Sequence, residues 1–209
     1  LLAVPRLIQG AHESLGFISL RESLILLDPD EAAPQRKRWA QLAVARQLAQ
    51  LWLSQRMILV EEEHRWFGSA WAGWMAHKAV SRIGDGEDAV LEKVRGTHQL
   101  LNMESRSRMP ALASTAERTG VTSRRDQGFR YLKGAALLDM LEAWVKPNPF
   151  WHAAREFWNA KSSRAPSIDE WIETLSGASA LDVGSVYHSF AQQSGAPLLS
   201  FSLLCQADQ

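Results

Sequence analysis

Apolar residues recur at helical spacing over most of this chain, and only its first stretch reads otherwise. Leu1 to Pro5 is a short apolar strand candidate. Phe17-Ile18-Ser19-Leu20-Arg21-Glu22, continued by Leu24 to Leu27, reads as a second strand. Residues 1–27 therefore predict a β edge. Asp28-Pro29-Asp30 and Pro34 mark a loop. Helical periodicity then runs from about Gln35 to Arg56, from about Glu61 to Arg82 and, after the break Gly84-Asp85-Gly86, from Glu87 to about Arg106. Residues 106–125 are polar and irregular, with Pro110 and Gly120. Phe129 to Glu142 is helical again. Phe150, Trp151, Ala154, Phe157 and Trp158 form one stripe of a helix between Pro149 and Lys161. Ser167, followed by Asp169 and Glu170, is an N-cap with acidic residues in the first turn, and Asp182 caps a last helix reaching about Gln193. The class is mainly α, with a helical body over residues 35–193.

Composition narrows this picture. A chain of 209 residues is long enough for one well-cored domain, and 46% of it is apolar. A formal net charge of +0 gives no electrostatic case for nucleic acid or an acidic membrane. No apolar run reaches the length of a transmembrane helix, so no membrane insertion by this segment is expected. One cysteine, Cys205, excludes an internal disulfide framework, and no Asn-x-Ser/Thr acceptor occurs. Both features lean towards an intracellular compartment. Leu1 opens directly in a strand-like run, with no initiator methionine and no signal peptide, so we expect a domain excised from a longer chain. Nine tryptophans, mostly at helical spacing beside apolar residues, are assigned to core packing.

The stretch from Trp39 to Val80 carries the candidate chemistry. Its first helix holds Val44-Ala45-Arg46-Gln47-Leu48-Ala49-Gln50-Leu51-Trp52-Leu53, and its second holds Trp66-Phe67-Gly68-Ser69-Ala70-Trp71-Ala72-Gly73-Trp74-Met75. These segments resemble V-A-H-E-L-A-H-Q-W-F and W-L-N-E-G-F-A-S-Y-M of the aminopeptidase N family of zinc peptidases. That family carries H-E-x-x-H, eighteen residues, then a glutamate. Here eighteen residues, Leu51 to Gly68, separate Gln50 from Ser69. Ligands at i and i+4 lie one turn apart on a helix face and can reach one metal, while the third comes from another helix. Gly10-Ala11-His12-Glu13-Ser14 resembles the family's G-A-M-E-N. Tyr131-Leu132-Lys133-Gly134, running on to Leu138, Leu141 and Glu142, resembles its Y-x-K-G-x-x-x-L-x-x-L-E helix.

The resemblance covers nearly the whole chain. It implies the helical C-terminal half of a thermolysin-like peptidase domain, with residues 196–203 (Gly195-Ala196-Pro197-Leu198-Leu199-Ser200-Phe201 resembles G-Y-P-V-V) opening a following β domain. It also implies site roles. Gly10, Ala11, His12 and Glu13 would lie along the substrate cleft, with Glu13 holding a free amino group. Tyr131 would donate to an oxyanion. Arg46, Gln50 and Ser69 occupy the three zinc-ligand positions, and Gln47 replaces the general base.

Arginine does not lose its proton in proteins, so Arg46 is no zinc ligand, and glutamine is no general base. The expected cofactor is therefore none, with zinc lost. The expected function is a catalytically inactive pseudo-peptidase domain that keeps the scaffold to bind a protein or peptide partner and packs on other domains of its parent chain. The alternative is an active metallo-aminopeptidase with an altered metal site. Glu61-Glu62-Glu63-His64 is a poor substitute metal site, because consecutive helical residues point in different directions. The Arg46 guanidinium is expected to hydrogen-bond Glu13, Gln50 or Tyr131, or else to turn to solvent.

Overall fold

A computed structural model describes residues 1–8, 10–14, 16–54, 65–83, 86–106, 109–112, 124–160 and 167–195. The chain opens in a three-stranded sheet: β1 (Leu2–Val4), β2 (Ala11–Ser14) and β3 (Phe17–Arg21). Strand order is β1-β3-β2, with β1 parallel and β2 antiparallel to β3. The central strand buries Ile18, Ser19 and Leu20. Arg21 fastens the connection between β1 and β2: its Nε donates to Leu7 O at 2.8 Å and its Nη2 to Ile8 O at 3.0 Å.

The strand expected over Leu24 to Leu27 is not formed. Residues Glu22–Ile25 make a short helix, α1, instead. Both neighbours of β3 run out together, at the pairs Val4 with Arg21 and Ala11 with Leu20. A longer β3 would leave its backbone groups without ladder partners. The helical turn satisfies them locally, with Leu26 N donating to Glu22 O at 2.9 Å, and Arg36 of the next helix takes the Ser23 carbonyl at 3.2 Å.

The body is helical: α2 (Pro34–Ser54), α3 (Arg65–Ile83), α4 (Gly86–Arg106), α5 (Arg124–Val145), α6 (Pro147–Asn159), α7 (Ile168–Ser179) and α8 (Val183–Ala191). The predicted helices match these within a few residues; Glu61 to His64 and the strand expected over 196–203 lie outside the described residues. The Ser167 cap forms a full capping box, accepting from Glu170 N while Glu170 accepts from Ser167 N. Asp182 accepts from Ser185 N to open α8.

Helix α3 is the axis of the domain. Trp66, Phe67, Ala70, Trp71, Ala72, Trp74 and Ala76 are all buried, so it is apolar nearly all round, as a central helix must be. It packs between α2 and α5. The far side of α3 feeds an aromatic cluster. Trp71 meets Trp74, Trp158 and Trp171 edge-on, with centroids 5.4, 5.3 and 5.0 Å away, and stacks obliquely on Phe150 at 5.9 Å. Edge-to-face contacts of this kind add to the area each ring buries. Trp66, Trp71, Trp74, Trp158 and Trp171 are buried, which bears out the core role expected for most of the tryptophans. Among the described residues no helix is long and apolar enough to cross a membrane.

Candidate functional site

Helices α2 and α5 both pack on α3, and Arg46 of α2 meets Tyr131 of α5 there. Arg46 and Gln50 lie one turn apart on α2, Ser69 lies on α3 and Tyr131 on α5; all four are half-buried. Gln47, next to Arg46, is 7% exposed. The edge strand β2, carrying His12 and Glu13, packs against α2. Gly10 turns the chain into this strand with φ of 81°, a left-handed conformation that glycine adopts without strain. Its carbonyl accepts from Arg21 N at 2.8 Å. Glu13 stands opposite Ile18 and is half-buried, whereas His12 is exposed and bonds Ser14 Oγ at 3.3 Å.

Two glycines set how closely the helices approach. A methyl group on Gly73 would fall 2.0 Å from Tyr131 Cε2, and one on Gly134 would fall 2.5 Å from the Ala70 methyl. Neither distance is possible between non-bonded atoms, so these positions carry no side chain. Gly73 lets the tyrosine ring lie directly against α3. Sequence reasoning missed its role, although the small residues Ser69 and Gly73, four apart on one helix, are the visible signal.

Arg46 reaches Tyr131, but not by the contact expected. Its guanidinium carbon sits 4.2 Å from the Tyr131 ring centroid, a cation–π contact rather than a hydrogen bond to the hydroxyl. Among the described residues no carboxylate, Glu13 included, lies within ion-pair distance of Arg46. Its Nε is sealed from solvent without a hydrogen-bond partner, and so is Oε1 of Gln47. The reason is positional. Gly73 seats the aromatic ring at the foot of the site, and the flat guanidinium lies over that ring. Burial pushes the Tyr131 hydroxyl above its usual pKa, and the Arg46 charge partly opposes this. The hydroxyl therefore keeps its proton at neutral pH and stands as a donor.

Zinc takes His nitrogen, Cys sulfur or carboxylate oxygen. Arg46, Gln50 and Ser69 present none of these. Their donor chemistry does not fit the metal. Among the described residues no three His, Cys, Asp or Glu side chains stand close enough to share an ion.

On the opposite side of α5, Lys133 makes a buried pair with Glu104 of α4, Nζ to Oε1 at 2.6 Å, and also reaches Gln193 O at 3.3 Å. A third charged group lies where α3, α4 and α5 meet. Asp139 pairs with Lys78 and Lys93, and Glu142 with Lys78.

A three-strand edge, a facing helix pair and a tyrosine-bearing helix, in this order, define the helical half of a metallopeptidase-type scaffold. The chain belongs to peptidase family M1, whose domain model matches residues 1–190. Among similar proteins, glutamyl aminopeptidase of Homo sapiens is 28% identical over 209 residues, covering 95% of this chain and 21% of its own length. The Sus scrofa glutamyl aminopeptidase is 27% identical over 203 residues with the same coverage. Aminopeptidase N of Lactobacillus helveticus is 24% identical over 202 residues, covering 95% of this chain and 24% of its own. The chain thus spans about a fifth to a quarter of the length of these relatives.

Proposed function

We propose that this chain is a pseudo-peptidase domain: an M1 scaffold retained to bind a peptide or protein, with zinc-dependent hydrolysis lost. One observation carries the reading. The arginine that stands at the first metal-ligand position of the resembled pattern stacks on Tyr131. A guanidinium there repels a divalent cation. Gln47 cannot take a proton from water, so neither a Lewis acid nor a general base remains.

Retention of the cleft is supported by the edge strand. β2 ends the sheet and lies against α2, so its outer edge offers backbone groups to an extended peptide, with Glu13 placed to meet a free amino group. The same scaffold would pack on further domains of a longer chain.

The test is hydrolysis of aminoacyl-arylamides by the purified chain, with added zinc and with chelator. The expected result is no turnover in either condition. Chelator-sensitive turnover would overturn the proposal in favour of an active enzyme with an altered metal site. Turnover indifferent to chelator and abolished by Tyr131→Phe would indicate metal-free catalysis and overturn it equally.

A further inference from the structure

The former metal position has the chemistry of a carboxylate receptor. The geometry points to a site at Arg46, Gln47 and Tyr131 that takes the C-terminal residue of a peptide, through its terminal carboxylate and its own amide N–H. The inference deepens the proposed function and rests on it, since it requires a cleft open to peptide and free of zinc.

The argument starts from unmet partners. Arg46 carries a fixed positive charge, and among the described residues no carboxylate balances it. Its Nε is buried and unpaired. Stacking on Tyr131 satisfies the face of the guanidinium and makes no hydrogen bond, because cation–π contact uses the charge and not the hydrogens. Those hydrogens form a planar fork that matches the two oxygens of a carboxylate.

Gln47 adds the complementary half. It is 7% exposed, and its Oε1 is a buried acceptor with no donor. Arg46 and Gln47 are successive residues on α2 with Cα atoms about 3.8 Å apart, and although their side chains leave the helix in different directions, both are long enough to turn to one small ligand. A buried acceptor beside an unbalanced cation asks for a ligand with an N–H donor close to an anion. The C-terminal residue of a peptide has that combination, with its amide N–H one carbon away from the carboxylate carbon. An aspartate or glutamate side chain holds its carboxylate further from any N–H. Tyr131, protonated because burial disfavours its anion, can donate to the same carboxylate. Sulfate would satisfy Arg46 but bring no donor to Gln47.

Calorimetric titration of the intact chain with four short peptides tests this. The first is N-acetylated with a free C-terminal acid. The second is its C-terminal amide. The third is that amide with an internal glutamate, and the fourth is the amide with a free amino terminus. The expected result is that the free acid binds and each amide binds about tenfold or more weakly. Arg46→Met, folded by circular dichroism, should remove this preference, and Gln47→Leu should weaken the acid without strengthening the amides.

Equal affinity for acid and amide would overturn the carboxylate assignment. If that affinity required Glu13 and a free amino terminus, peptide binding by the scaffold would still stand. Tight binding of the glutamate-bearing amide would overturn the terminal assignment. Zinc-dependent cleavage of the fourth peptide would overturn the pseudo-peptidase reading and this inference with it. So would the absence of binding by all four peptides.

Discussion

Arg46 and Lys133 lie on opposite sides of α5, and among the described residues only Lys133 of the two has a counter-ion. Tyr131 and Lys133, two residues apart, point to opposite sides of that helix. On one side Lys133 is locked to Glu104 at 2.6 Å and to a backbone carbonyl at 3.3 Å, with the two side chains 10% and 3% exposed. On the other, Arg46 lies over the Tyr131 ring, and no carboxylate of the described residues answers it. The fold supplies a partner for a charge it needs for its own packing. It supplies none for Arg46. Arg46 is only half-buried, and its cation–π contact, worth about 0.5–2 kcal/mol, stands without an ion pair among the described residues. Lys133 therefore belongs to the architecture. Under the proposal, Arg46 serves what the cleft receives.

The widest separation between the two sides should appear in stability. Glu104→Ala leaves a buried ammonium without its carboxylate and should cost about 3–5 kcal/mol in denaturant unfolding. A cost under about 1 kcal/mol would remove Lys133 from the architecture and break the contrast.

Gly73→Ala tests the seat of the ring that carries Arg46. Its methyl would stand 2.0 Å from Tyr131 Cε2, so the ring must shift, and the expected cost is about 1–3 kcal/mol by the same measurement. No change would mean that the ring is not held against α3.

Arg46→Met should move stability by no more than about 1 kcal/mol in either direction, because it removes an unpaired charge and keeps the bulk. A loss comparable to that of Glu104→Ala would show Arg46 to be structural.

The smallest effect lies in alkaline pH. The Tyr131 pKa is raised in the folded state from 10.0, chiefly by burial. A raised folded-state pKa contributes stability that is complete below the unfolded value and lost as pH rises through the folded one. Unfolding free energy should accordingly hold level from neutrality to near pH 10 and fall above it. In Arg46→Met the fall should be steeper, since the cation that opposes the upward shift is gone. An identical alkaline profile in parent and variant would mean that the guanidinium does not act on the ring.

The helices were legible because apolar periodicity and caps act locally. Ser167 with Glu170 and Asp182 declared two helix starts, and the structure forms both. The eighteen-residue gap from Gln50 to Ser69 was legible because it fixes where the second helix can return, and with the tyrosine helix it carried the family. What sequence could not supply were quantities set between elements. The short helix at Glu22–Ile25 follows from where β1 and β2 stop, which the apolar run Leu24 to Leu27 does not encode. Lys133 and Glu104 are 29 residues apart, and their meeting depends on how α4 and α5 are rotated. Arg46 was expected to find Glu13, Gln50 or the Tyr131 hydroxyl. It found the face of the ring, because Gly73 decides where that ring lies.

The most direct test of the proposal that a metal centre has become an arginine site is zinc itself. Purified chain would be dialysed against excess zinc, then against metal-free buffer, and its metal content measured beside that of the variant Arg46→His, Gln47→Glu, Gln50→His, Ser69→Glu. The parent should retain no stoichiometric zinc. The fourfold variant should gain zinc affinity, because it restores two histidines and a glutamate as ligands at the spacing of the resembled pattern. About one tightly held zinc per chain in the parent would contradict the claim.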